Sequence, residues 1–177
     1  MTITLIGMPA SGKSTVGKLL AKELGIKFID TDNLIEERTG RHLQDIINSD
    51  GLDQFKRIEE DTLMTVTEQD AVIATGGSAV YYDRAMEHLK TLGKVVYLKA
   101  ELKTIVIRLG DFSKRGIALK PGTTIADLYD ERIPLYEKYA DITVPCDNIG
   151  YKRSCHSTVR KIIELVRGGS KTVSQSV

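Results

Sequence analysis

An α/β fold, with a parallel sheet covered by helices on both faces, is what this sequence predicts. Two observations predict it: short β-branched runs alternate with helical patterns along the chain, and a glycine-containing turn joins the first strand to the first helix. Thr2 to Ile6 is a strand-length apolar run stopped by Gly7. From Lys13 to Leu24 the residues Val16, Leu19, Leu20 and Leu24 recur at helical spacing, and Gly25 ends the pattern. Ile26 to Ile29 is a second strand, running into Asp30-Thr31-Asp32. Leu34 to Thr39 reads as a short helix ended by Gly40, and Leu43 to Asn48 and Leu52 to Glu68 continue the helical pattern. The third strand, Ala71 to Thr75, stops at Gly76-Gly77. Tyr81 to Leu92 is a helix, Lys94 to Leu98 a fourth strand and Leu102 to Leu109 another helix. Gly110 to Gly122, polar and bearing Gly and Lys, predicts a mobile loop. Thr124 can cap a helix to about Tyr139, and Ile142 to Val144 supplies a fifth strand. Val159, Ile162, Ile163 and Val166 stripe a last helix ending at Gly168-Gly169, after which 170–177 reads as a frayed tail. With no repeat or long linker, 1–169 is expected to form one domain.

Composition narrows the class. The 177 residues are 41 % hydrophobic and 28 % charged, which excludes a disordered or collagenous chain. A net charge of +1 gives no electrostatic case for nucleic acid or a membrane surface as partner. No apolar run approaches the roughly 18 to 20 residues of a bilayer span. The first strand lacks the basic flank of a secretory signal, so a cytoplasmic location is expected. Cys146 and Cys155 form no C-x-x-C pair, and with His42, His88 and His156 scattered, a structural zinc site is not expected; two free thiols are.

The chemistry begins at Gly7-Met8-Pro9-Ala10-Ser11-Gly12-Lys13-Ser14, which fits G-x-x-x-x-G-K-[ST] between a strand and a helix. Successive backbone N–H groups at a helix N-terminus form an anion-binding nest facing the phosphates. Lys13 would bridge the outer phosphates and Ser14 would ligate Mg²⁺. Asp30 and Asp32 follow a strand's carboxyl end on the same edge of the sheet, where α/β proteins bind ligands. One carboxylate can order the hydration shell of Mg²⁺ and the other can take a proton from an attacking hydroxyl. Either could instead cap the helix that follows.

On these residues the chain resembles the shikimate kinases, from Thr2 to about Asn148. The ordered matches are FIDTDNLIEERTGRHLQDI, Gly51 with Phe55 and Glu59, ATGG at Ala74 to Gly77, Arg115, and ERIPLYEKYAD at Glu131 to Asp141. The resemblance implies a three-layer P-loop fold with a five-stranded parallel sheet, a helical substrate-binding insert at about 31–62 and a lid at about 110–124. It implies transfer of the γ-phosphoryl of ATP to the 3-hydroxyl of shikimate, in aromatic amino acid biosynthesis, by a monomer whose partners are those two small molecules and Mg²⁺. Carried over, it makes Ala10, Ser11, Gly12, Lys13, Ser14 and Thr15 the phosphate cradle, Ser14 a Mg²⁺ ligand and Asp30 a Mg²⁺ partner through water. Asp32 becomes the hydroxyl-orienting base, with Lys13 and Arg115 as its catalytic companions. Lys56, Gly76, Gly77 and Arg132 join Asp32 in binding the acceptor, Arg132 holding its carboxylate. Arg115 reaches ATP from the lid, and Arg108 either packs against the adenine ring or is a solvated arginine at a helix end.

Three departures concern the acceptor and the lid. Lys56 stands where the family usually has arginine, which removes a planar fork from the carboxylate site; Glu59, three residues on, is expected to orient it. Ser78 replaces the third glycine after the third strand, and the lid reads Arg115-Gly116-Ile117-Ala118-Leu119. A kinase of the same family acting on another hydroxy acid or polyol is the alternative these changes raise. A nucleotide-binding regulatory module is disfavoured by the joint presence of Asp32, Arg115 and Arg132, and a GTPase-like switch by the lack of N-K-x-D.

Overall fold

All five residues of the first strand are buried, and in the computed structural model, which describes residues 1–110, 122–147 and 152–168, it becomes the middle of the sheet. Five strands, β1 (Thr2–Ile6), β2 (Lys27–Asp30), β3 (Ala71–Ala74), β4 (Gly93–Lys99) and β5 (Ile142–Pro145), lie in the order β2-β3-β1-β4-β5. Every pairing is parallel, with Ile3 beside Val72 and Lys94, and Leu5 beside Ala74 and Val96. A parallel sheet needs a crossover between neighbouring strands. Among the described residues these are α1 (Lys13–Leu24), α2 (Thr31–Thr39), α3 (Leu43–Asp50), α4 (Leu52–Met64), α5 (Asp83–Leu92), α6 (Leu102–Leu109) and α7 (Ile125–Tyr139), with α8 (Lys152–Arg167) closing the order. Ile3, Leu5, Val72, Ile73, Val95, Val96 and Leu98 are fully buried in the main core. None of the described helices is long and apolar enough to cross a membrane.

The predicted five-stranded three-layer α/β architecture holds, and its differences from the sequence reading lie at element ends. α2 begins at Thr31, three residues earlier than the apolar pattern indicates, because Asp30 caps it by accepting from the Asp32 backbone N–H at 3.2 Å. α4 stops at Met64 rather than Glu68. Thr62 and Thr65 hydroxyls donate to the carbonyls of Ile58 and Thr62, and the backbone tightens as Thr65 N–H also reaches Thr62 O. The helix expected from Tyr81 is broken: Ala79–Tyr81 form a 3₁₀ turn, Tyr82 is extended (φ −105°, ψ 90°), and α5 starts at Asp83. Thr124 caps α7 as expected, in a reciprocal box with Asp127.

The helical insert, α2 to α4, closes on a core of its own made by Ile35, Ile46 and Phe55. Cys146 and Cys155 are both buried free thiols. Most of the lid, with Arg115, and the tail 170–177 fall outside the described residues.

Candidate active site

The carboxyl ends of β1, β2, β3 and β5 open on one edge of the sheet, the edge at which a doubly wound fold binds ligands. The donor side of that crevice is Gly7 to Ser14. Gly12 begins α1 with φ +103°, no side chain caps its first turn, and Ala10 is held at φ +62°. A non-glycine residue in the left-handed region costs of order 1 kcal/mol and marks a loop shaped for function. The Lys13 ammonium, 9 % exposed, is bent back over the loop and donates to Gly7 O (2.8 Å) and Met8 O (2.9 Å). Burial pulls its pKa down to about 8, opposed by Asp32 and reinforced by Arg132.

The two oxygens of Asp30 are used differently, and of the readings the sequence left open the structure displays the helix cap. Oδ1 caps α2, while Oδ2 accepts a 2.7 Å hydrogen bond from Ser14 Oγ. A hydroxyl and a carboxylate held together at the loop are hard oxygen donors of the kind Mg²⁺ takes, so the residues fit that ion.

Asp32 is half-buried in the first turn of α2. Burial, then the charges of Glu59 and Asp30, push its carboxyl up to about 7, against the pull of Lys13. Gly76 and Gly77 follow β3 and are small for steric reasons. A Cβ on Gly76 would strike Glu59 Oε1 and come within 2.9 Å of Asp32 Oδ1. On Gly77 it would lie 2.9 Å from both Arg132 Nη1 and Pro9 Cδ. Glycine here is what lets two carboxyls and a guanidinium close on the turn. Gly76 is fixed in turn by its N–H donating to Thr31 Oγ1 at 3.2 Å.

Arg132 is 1 % exposed, a placement that a lone cation would not tolerate. Its Nε donates to Tyr81 OH (3.2 Å) and its guanidinium lies over the Tyr81 ring, 5.1 Å from the centroid. Burial alone would lower its pKa, but Tyr136, Tyr81 and Glu59 more than offset this and keep it charged. Tyr136 OH donates to Gly77 O at 2.7 Å, joining α7 to the glycine turn.

Arg108 is no solvated helix-end residue. It donates to Cys146 O (2.9 Å) and Asp147 O (2.6 Å) and stands 3.5 Å from Ala10 O and Ser11 O, tying the phosphate loop to the exit of β5. Cys146 Sγ adds a 3.3 Å contact to Ser11 O.

The expected partnership of Glu59 with Lys56 is not formed. Glu59, 1 % exposed, accepts from Ser78 Oγ (2.6 Å) and Tyr82 OH (2.7 Å) instead, because buried donors lie closer to it than the half-buried lysine. Tyr81, Tyr82 and Tyr136 are the site residues that sequence reasoning missed. The signal available was two adjacent tyrosines just beyond the glycine turn, hidden because their segment reads as helix. Thus Lys13, Asp30, Asp32, Gly76, Gly77 and Arg132 come together as expected, Thr15 is exposed on the first turn of α1, and Arg115 lies outside the described residues.

A phosphate loop, a hydroxyl–carboxylate pair beside it, and a half-buried carboxyl and a buried arginine packed on one glycine turn define a P-loop phosphotransferase acting on a small anionic acceptor. The family profile described as Shikimate kinase matches residues 9–165. The shikimate kinase of Thermodesulfovibrio yellowstonii is 35 % identical over 169 residues, 94 % of this chain and 97 % of its own length. That of Haemophilus influenzae is 36 % identical over 168 residues, covering 93 % and 91 %. Among solved structures, the Acinetobacter baumannii shikimate kinase in complex with shikimate superposes with a TM-score of 0.84 at 30 % identity, covering 97 % of this chain and 95 % of that one. The Bacteroides thetaiotaomicron enzyme superposes at 0.80 with 29 % identity, over 94 % of this chain and 98 % of that one. The chain belongs to the shikimate kinase family.

Proposed function

We propose that this chain transfers the γ-phosphoryl group of ATP to the 3-hydroxyl of shikimate, giving ADP and 3-phosphoshikimate, with the labour divided among the residues described above. The observation that carries the reading is the closure of Asp32 and Arg132 on the Gly76–Gly77 turn, directly across from the phosphate loop. Arg132, held by Tyr81 and Tyr136, receives the acceptor's carboxylate, and a guanidinium can do so with two parallel hydrogen bonds. Lys56 supplies a second cation to that carboxylate. So anchored, the acceptor presents a hydroxyl to Asp32, whose carboxylate takes the proton as the oxygen forms its bond to the γ-phosphorus and the bond to the ADP leaving oxygen breaks. A base raised toward neutrality by burial suits a hydroxyl better than an ordinary carboxylate does.

On the donor side the backbone N–H groups of Ala10 to Thr15 cradle the phosphates, and Lys13 swings from the loop carbonyls to the outer phosphates. Ser14 and Asp30 would hold Mg²⁺, Asp30 through water; when bound, the ion neutralises charge on the phosphate oxygens. Arg108 packs against the adenine ring, and Arg115 comes from the lid to the transferred phosphoryl. Most of the catalysis is then positioning and electrostatics, as phosphoryl transfer requires.

A coupled ADP-release assay with MgATP tests this. Turnover with shikimate well above both the no-acceptor control and a panel of other hydroxy acids is expected. Release no faster than the control, with another hydroxy acid turned over, would assign a different acceptor.

A further inference from the structure

The two oxygens of Glu59 are in different situations. Oε2 accepts from both Ser78 Oγ at 2.6 Å and Tyr82 OH at 2.7 Å. Oε1 is buried without a hydrogen-bond partner, on the side where a Cβ at Gly76 would strike it. Glu59 follows Lys56 by three residues on α4, a spacing at which opposite charges on a helix meet. They do not pair: among the described residues no carboxylate lies within 4.0 Å of the Lys56 ammonium.

The physical reason is competition. A buried carboxyl must find donors, and a flexible lysine one turn away is the natural source. Ser78 and Tyr82, from the segment after β3, supply both hydrogen bonds that Glu59 accepts, and both fall on Oε2. The consequence falls on the acceptor site. A lysine already neutralised by its own protein must give up that ion pair before it can receive an incoming acid, whereas an unpaired one keeps its full charge for the ligand.

Resting on the assignment of shikimate as acceptor, we propose that Ser78 and Tyr82 are positioning residues that clasp Glu59 away from Lys56, leaving the Lys56 ammonium as the second cation, with Arg132, for the acceptor's carboxylate. A lysine has no planar fork with which to serve a glutamate and a ligand at once. Neither Ser78 nor Tyr82 needs to touch the reacting atoms.

The test is the double variant Ser78→Gly/Tyr82→Phe, compared with the same protein carrying Glu59→Gln as well. Freeing Glu59 to pair with Lys56 is expected to raise KM for shikimate by about five- to twentyfold. It should leave kcat within about twofold and KM for ATP unchanged, a split that general loosening would not give. Adding Glu59→Gln should bring KM for shikimate back toward the wild-type value, since a neutral amide does not hold the ammonium. A wild-type KM in the double variant, or a raised KM that Glu59→Gln fails to lower, overturns the proposal. A crystal structure of the double variant decides independently of the acceptor's identity: Lys56 Nζ moved to the Glu59 carboxylate supports the clasp, and Glu59 still against Gly76 with Lys56 unpaired overturns it. An acceptor other than shikimate would show in the ADP-release assay on the wild type, so the two failures are distinct.

Discussion

The two walls of the crevice are built in different ways. The donor wall is a single run of chain, Gly7 to Ser14, hung between a fully buried strand and a helix, so its shape follows from local backbone and a few fixed residue types. The acceptor wall is assembled from distant pieces: Glu59 on α4, Gly76 to Tyr82 after β3, and Arg132 and Tyr136 on α7. Its helical lobe also closes on a small core of Ile35, Ile46 and Phe55 apart from the main sheet core. A many-segment site can be refurnished one side chain at a time, and the departures at Lys56 and Ser78 both fall there. Glu59 shows the division most plainly, because both hydrogen bonds it accepts come from Ser78 and Tyr82, on a different segment of the chain.

The comparison can be broken at several points, and the largest effect is expected at Asp32. Asp32→Asn removes the proton acceptor and should lower kcat by roughly 10² to 10⁴ while leaving KM for ATP nearly unchanged; wild-type turnover in steady-state kinetics would remove Asp32 from the mechanism. Next comes Gly76→Ala, whose methyl would run into both Glu59 and Asp32. Its KM for shikimate should rise by about tenfold or more, with nucleotide affinity, read by a fluorescent ATP analogue, held by the untouched loop. Equal loss of nucleotide and acceptor affinity would show that the walls are not separable.

Ile46→Ala probes the insert. Truncating a fully buried side chain costs about 2 to 5 kcal/mol, and in a satellite core that cost should fall first on the insert. Hydrogen exchange is expected to quicken across residues 31–64 and not in β1, β3 or β4; uniform quickening would mean one cooperative unit.

The smallest effect concerns pH. The carboxyl of Asp32 is raised to about 7 in the folded chain, so the native state keeps a proton that the unfolded chain has already released. Its stabilising contribution is present below pH 4 and is lost as pH rises through about 7. Asp32→Asn removes this dependence, so the ligand-free variant should gain on the order of 1 to 2 kcal/mol over wild type at pH 7.5 relative to pH 4.5, after allowance for solvent screening. Melting curves at the two pH values check the sign, and a gain confined to pH 4.5 would reverse it.

Much of this was legible in the sequence. Five strands and their alternation with helices could be read because buried parallel strands are short apolar runs, and the phosphate loop could be read because its geometry is local. The helix ends misread at Thr31, Met64 and Tyr82 share one cause: polar side chains there bond the backbone or a distant partner and override the apolar period. Glu59 shows the limit most clearly. Its spacing from Lys56 is a correct helical inference, yet two hydroxyls from beyond β3 outcompete the lysine.

By itself, the sequence determined the fold class, the phosphate loop, and the placement of Asp30, Asp32 and Arg132 in segments that meet at one edge. All but Arg132, which the resemblance to the family supplied, rest on periodicity or on residues adjacent in the chain, and such interactions form with little loop-closure cost. Only the tertiary structure decided which donors satisfy Glu59, why Gly76 and Gly77 must be small, how Arg132 stays charged while buried, and that Arg108 braces the phosphate loop. Those are contacts between segments tens of residues apart, chosen by competition among all the groups that packing brings within reach, and a linear pattern does not record who wins that competition.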